Sequence, residues 1–208
     1  MNRRTGAEPT KGPTMNLTLP DPRPALFDGI RLVSTLAAGV RPEQFDLPTP
    51  CAEYTVAELL EHLRGALGRT EEISRRIPLT GGLDPEPIDR DAIRGQVVAA
   101  AERARAGWDG DDALLTDLVT VPFGTLPGAA AGFGYANEML VHAWDLATAT
   151  GQQVEWPADQ TLDLVRGVFG NALPAQGRDD IPFAEQVPVP DDAPAIDRLV
   201  AYSGRDPR

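Results

Sequence analysis

Residues 128–149 constrain the fold most, because apolar side chains occupy nearly every position around a helix built from them. Gly151 follows directly, and glycine is a common C-terminal cap of helices. A helix that is apolar on nearly all sides is stable in water only when other elements cover it. The segment therefore predicts a buried helix that ends near Gly151, in the interior of a mostly all-α protein.

Five further helices are predicted, several of them from apolar side chains at helical spacing. The start of one is marked by Thr55 and Glu58, whose spacing is that of a capping box. The predicted helices run from about Pro24 to before Pro42, and over about 55–76, 89–107, 157–173 and 194–203.

Other segments are predicted to lack helices. Residues 1–20 are rich in Thr, Pro, Gly and Asn, so we expect a disordered tail followed by one helical domain over 21–208. In residues 114–126, β-branched residues alternate with others, which predicts one short strand or an extended crossover. Pro122 argues against a central strand, because proline cannot donate a ladder hydrogen bond.

Charge and cysteine content limit the partners and the compartment. The formal net charge is −12, which argues against nucleic acid and anionic membrane surfaces as partners. No apolar run approaches ~18 residues, and the first 20 residues lack the apolar stretch of a secretory signal. Cys51 is the only cysteine, so no disulfide can form within the chain. We therefore expect a cytoplasmic protein.

Glu138 and His142 lie four residues apart on the predicted buried helix, so their side chains share one face. His62, on the predicted helix 55–76, supplies a third candidate ligand. Three protein ligands with an open position are typical of a catalytic metal site, and two nitrogens with one oxygen suit Zn²⁺, Ni²⁺, Fe²⁺ or Co²⁺. The alternative is an ordinary polar pair and a hydrogen-bonded core histidine.

Asp145 follows His142 by three residues and has three open roles: a general base, an orienting partner of a ligand, or an ordinary helical charge. Cys51 precedes a predicted helix, where the helix dipole would lower its thiol pKa, but a small buried apolar residue is the simpler interpretation. The aromatic residues are either pocket walls or core: Tyr54, Phe123, Phe133 and Trp144.

Two motifs around these residues resemble those of a known family. Residues 49–63, TPCAEYTVAELLEHL, resemble the actinobacterial pattern TPCxxWTVxxLxxHL, and residues 138–151 resemble ELxxHxWDLAxATG. The runs 121–125, 187–190 and 203–207 fit as well. Together they are similar to the actinobacterial metal-binding family related to the N-terminal domain of mycothiol-dependent maleylpyruvate isomerase, in the DinB/YfiT-like superfamily.

That resemblance implies a DinB-like four-helix bundle that holds a divalent metal, Zn²⁺ before Ni²⁺, Fe²⁺ or Co²⁺, on His62, Glu138 and His142. It implies a catalytic role for Asp145 and chemistry in which the metal activates mycothiol toward a small electrophilic substrate. Tyr54 and Ala143 depart from the family pattern, and neither is expected to contact the ligands.

Other functions stay open beside a thiol transferase or isomerase. The same ligands would suit a hydrolase of thiol conjugates with Asp145 as base, or a non-catalytic metal-binding stress protein. The isomerase carries a further C-terminal domain with a catalytic arginine, and no such role is assigned here to Arg198 or Arg205. Bundles of this kind often pair through apolar helix faces, so a homodimer is a further expectation.

Overall fold

Four helices pack side by side around one core in the computed structural model, which describes residues 19–83, 86–172, 177–178 and 184–208. Helices α1 and α2 lie diagonally opposite each other, and each packs against both α3 and α4. The predicted mostly all-α four-helix bundle is thus confirmed. The four helices are α1 (Arg23–Gly39), α2 (Val56–Ser74), α3 (Ile93–Trp108) and α4 (Gly128–Thr150).

Helix α4 is the buried helix that the sequence predicts. Most of its residues are buried, and Gly151 ends it in the left-handed conformation with φ of 69°. It approaches α1 closely at Gly29, where a Cβ atom would lie 2.8 Å from Cβ of Met139. Glycine at this position therefore allows the two helices to pack tightly, which fixes the line of α4 and of the polar residues on it.

Helix α2 begins with the predicted capping box. Thr55 Oγ1 accepts a hydrogen bond from the Glu58 backbone N–H, and the Glu58 carboxylate accepts one from the Thr55 N–H at 2.8 Å. Helix α3 begins four residues later than predicted, because Asp89 instead forms a turn whose side chain accepts from the N–H groups of Asp91 and Ala92.

The segment between α3 and α4 forms a hairpin. Strands β1 (Leu118–Val121) and β2 (Gly124–Pro127) pair antiparallel, with Val121 opposite Gly124. A short strand is therefore present as predicted, but the segment continues into a second strand that was not predicted. Pro122 lies in the turn rather than in a strand, where its missing N–H costs no ladder hydrogen bond.

Two shorter helices complete the described chain, α5 (Asp159–Ala172) and α6 (Ala195–Tyr202), close to the predicted bounds. They pack on each other, and the residues after α6 return to α4. The predicted tail over residues 1–20 falls almost wholly outside the described residues, so the domain boundary stays a prediction. Within the described ranges, none of the helices is both long and apolar enough to cross a membrane.

Candidate metal centre

The three predicted ligands come together where α2 faces α4. His62 Nε2 lies 2.6 Å from Glu138 Oε1, and His142 Nε2 lies 3.5 Å from the same oxygen. The two imidazole rings are 4.8 Å apart between centroids. One oxygen therefore faces the Nε2 atoms of both histidines in the chain.

The opposite nitrogen of each imidazole has its own partner. Tyr54 Oη lies 3.2 Å from His62 Nδ1, and the two rings stack with centroids 5.0 Å apart. Asp145 Oδ2 lies 2.9 Å from His142 Nδ1. Such outer partners fix the tautomer and the ring orientation of metal-binding histidines.

The expectation that Tyr54 would not contact the ligands is wrong. The loop before α2 folds back through a bridge between Pro48 and Thr55, and this brings the tyrosine ring along the first turns of the helix. Ala143 is buried on α4 and has no polar side chain to offer.

Asp145 lies behind His142, fully buried, and Arg205 neutralises it from the C-terminal segment. Arg205 Nη2 donates to Asp145 Oδ2 at 2.9 Å, and Nε lies 3.2 Å from Oδ1. The carboxylate thus holds both a histidine and an arginine. This geometry suits an orienting role for Asp145 better than that of a base acting on bound solvent.

Sequence reasoning missed Arg205, which lies 60 residues from its partner. No local spacing connects positions that far apart. The only available signal was the run of residues 203–207, which belongs to the resemblance but gave no role to any one residue in it.

Cys51 is half-buried and lies near the same cluster. Its sulfur and the ligand atoms of His142 and Asp145 all lie within 4.8 Å of one another. Burial raises the pKa of the thiol, although Arg205 works against that shift. The less favoured alternative, an acidic thiol activated by a helix N-terminus, is therefore not supported.

The aromatic residues divide between the two expected roles. Tyr54 lines a cavity beside His62. Phe133 is buried and Trp144 packs against the core, while Phe123 is 71% exposed in the hairpin turn.

The charge states of Glu138 and His142 depend on each other. Burial opposes ionisation of Glu138, but His142 and His62 outweigh it and hold the pKa of the carboxyl well below its usual range. Burial also opposes protonation of His142, yet Glu138 and Asp145 raise its pKa to about 9. Glu138 and His142 thus attract each other as opposite charges even without a metal ion.

The donor set fits a divalent transition metal. Ligand atoms of His62, Glu138 and His142 lie within 4.8 Å of one another, and the side chains of His62 and Glu138 are 17% and 24% exposed. Two imidazole nitrogens and one carboxylate oxygen, with outer partners on both rings and one side open, are the arrangement of a three-ligand site with room for a further ligand.

Comparison with known proteins gives the family. Residues 26–147 match the model of the mycothiol maleylpyruvate isomerase N-terminal domain. Two uncharacterized proteins of Mycobacterium tuberculosis, from strains CDC 1551 / Oshkosh and ATCC 25618 / H37Rv, are each 32% identical over 181 residues, covering 84% of this chain and 92% of theirs.

One solved structure shares the fold over most of this chain. The crystal structure of a mutant of the mycothiol-dependent maleylpyruvate isomerase aligns with a TM-score of 0.55 and 14% identity, over 72% of this chain and 66% of the isomerase. A second crystal structure of the mycothiol-dependent maleylpyruvate isomerase aligns over 60% of this chain and 59% of its own, at 16% identity and a TM-score of 0.49. The family match and the mycobacterial relatives together show that the chain belongs to the mycothiol maleylpyruvate isomerase N-terminal domain family.

Proposed function

We propose that the chain is a divalent-metal-dependent thiol transferase or isomerase-like enzyme, with His62, Glu138 and His142 as the metal ligands. The observation that carries this proposal is that the two imidazole rings point their Nε2 atoms at one carboxylate oxygen. Both Nε2 atoms face Glu138 Oε1, while both Nδ1 atoms are held by outer partners. A core polar pair would not require both rings to be fixed in this way.

A metal bound here would lower the pKa of a thiol and hold it as the nucleophilic thiolate. The protein contributes orientation: Tyr54 fixes the ring of His62, and Asp145 fixes the ring of His142. Arg205 in turn holds Asp145 in place through three nitrogen–oxygen contacts. We propose Zn²⁺ as the metal, with Ni²⁺, Fe²⁺ and Co²⁺ as alternatives that the donor set also suits.

The thiol we propose is mycothiol, because the isomerase that shares this fold is mycothiol-dependent. The second substrate is a small electrophile. Isomerisation of maleylpyruvate itself is not proposed, because the alignment leaves a third of the isomerase chain without a counterpart here.

The hydrolase alternative receives less support from the site. It needs a base free to take a proton from solvent, and Asp145 is fully buried between His142 and Arg205. A non-catalytic metal-binding protein differs from the proposal only in lacking turnover.

The test is thiol transfer to monochlorobimane, in which the sulfur of mycothiol bonds to carbon while chloride and a proton leave. Zn²⁺-loaded protein is expected to accelerate this reaction. Glu138→Gln should lose the metal and the acceleration, because it removes the charged ligand without changing shape. Glu102→Gln makes the same change on the exposed face of α3 and should retain both.

Two outcomes would contradict the proposal. Equal metal content in the two variants would argue against the ligand set. Stoichiometric metal in the wild type, with no acceleration for any first-row metal, would favour the non-catalytic alternative.

A further inference from the structure

A second group of potential metal ligands lies on the Nδ1 side of the His142 ring. The sulfur of Cys51 and ligand atoms of His142 and Asp145 all lie within 4.8 Å of one another. His142 Nδ1 faces Asp145 Oδ2 at 2.9 Å, whereas Nε2 of the same ring faces Glu138. One imidazole therefore stands between the candidate metal centre and a second donor set, which we call the Cys51 cluster (Cys51, His142 and Asp145).

The Cys51 cluster is mostly buried but reachable from solvent. Asp145 is fully buried and His142 is 6% exposed, while Cys51 is half-buried in the loop that leads to α2. The backbone of that loop is tied by the Tyr54 N–H, which donates to the Cys51 carbonyl oxygen at 2.9 Å. The thiol is therefore the member of the cluster that an ion from solvent meets first, with two buried donors behind it.

Arg205 determines which ions suit the Cys51 cluster. It reaches both oxygens of Asp145 with three nitrogen–oxygen contacts of 2.9–3.3 Å, so the charge of this carboxylate is already compensated. A hard cation draws its affinity from oxygen ligands and would have to compete with the guanidinium. A soft cation draws its affinity from sulfur and imidazole nitrogen, so Arg205 opposes it less.

We propose that Cys51 and His142 Nδ1, with Asp145 as a weaker third ligand, form a second metal site that takes a thiophilic ion such as Cd²⁺. As the sulfur–cadmium bond forms, the thiol proton leaves to solvent. His142 binds the ion as the neutral imidazole, with its one ring proton on Nε2. This ion excludes His142 from the candidate metal centre, because the nitrogen that faces Glu138 then carries a proton.

The inference goes beyond the proposed function and is tested on the metal-free full chain by titration with Cd²⁺. Cys51 is the only cysteine, so the ultraviolet sulfur-to-cadmium absorption band reports this thiol alone. We expect the band in the wild type, with a midpoint that excess Mg²⁺, a hard ion, leaves unchanged. Cys51→Ser gives the baseline.

Two histidine variants separate this site from the candidate metal centre. His142→Ala should raise the Cd²⁺ concentration at the midpoint at least about 10-fold, since loss of a mere outer partner already costs that much metal affinity. His62→Ala is the matched control, because it removes the other imidazole of the chain and a ligand of the candidate metal centre only. Its midpoint should equal that of the wild type.

A measurement on the wild type keeps the test independent of how the variants fold. In protein labelled with ¹⁵N-histidine and loaded with ¹¹³Cd²⁺, we expect scalar coupling between cadmium and Nδ1 of His142. Absence of the absorption band, displacement by Mg²⁺, equal midpoints in the two histidine variants, or coupling to His142 through Nε2 alone would overturn the inference. Because His62→Ala removes the candidate metal centre, failure of the Cys51 cluster and failure of the proposed function are separate results.

Discussion

Replacing Arg205 by methionine tests how Asp145 is held. Asp145 is 0% exposed, and Arg205 reaches it with three nitrogen–oxygen contacts of 2.9–3.3 Å. Removing one partner of a buried ion pair costs about 3–5 kcal/mol, because a charge is left buried without its counterpart. His142 keeps one contact to Asp145 at 2.9 Å, so we expect the lower end, about 3 kcal/mol.

The assay is urea unfolding of the metal-free protein, followed by far-ultraviolet circular dichroism. Arg208→Met is the matched control, because Arg208 pairs with Asp206 at the surface and its side chain is 68% exposed. The control should leave the urea midpoint unchanged. Adding Asp145→Asn to Arg205→Met should recover part of the loss, since no buried charge remains. A midpoint for Arg205→Met equal to that of Arg208→Met would refute the reasoning.

Three further predictions concern the ligands and their helix. Tyr54→Phe removes the contact to His62 Nδ1, so Zn²⁺ affinity, measured by competition with a chromophoric chelator, should fall about 10- to 100-fold; an unchanged affinity would mean that Tyr54 only stacks. Because the pKa of His142 is raised to about 9, metal must displace its proton, so Zn²⁺ affinity measured by calorimetry should rise with pH and level off above about pH 9; a flat profile between pH 6.5 and 9 would contradict this. Thr55→Ala should lower the free energy of unfolding by about 1 kcal/mol through loss of the N-cap, and a change within error in urea unfolding would show that the cap is dispensable.

Local patterns carried most of the fold. The apolar segment 128–149 predicted a buried central helix, and Gly151 marked its end, because both signals depend on neighbours within a few residues. The hairpin at β1 and β2 was missed, because alternation across residues 114–126 does not show where a chain turns back. Pro122 was recognised as incompatible with a central strand, but that does not reveal a turn.

The candidate site, too, was predictable from local sequence patterns only in part. The spacing of Glu138 and His142 places them on one helical face, whereas His62 lies on another helix, so it was a third candidate that no spacing could place beside them. Two contacts were beyond local patterns: Arg205 contacts Asp145 across 60 residues, and the loop before α2 folds Tyr54 onto His62. Tyr54 contacts Nδ1 of His62, and Arg205 contacts Asp145, which in turn contacts Nδ1 of His142. Only the packed structure brings these groups together.

Metal binding by His62, Glu138 and His142 is the central claim about this protein. The decisive measurement is elemental analysis with Zn²⁺ titration of the purified full chain, beside the double variant His62→Ala with His142→Ala. We expect one divalent ion per chain in the wild type and none retained in the double variant. A wild type that holds no transition metal after reconstitution, or a double variant with the same content, would contradict it.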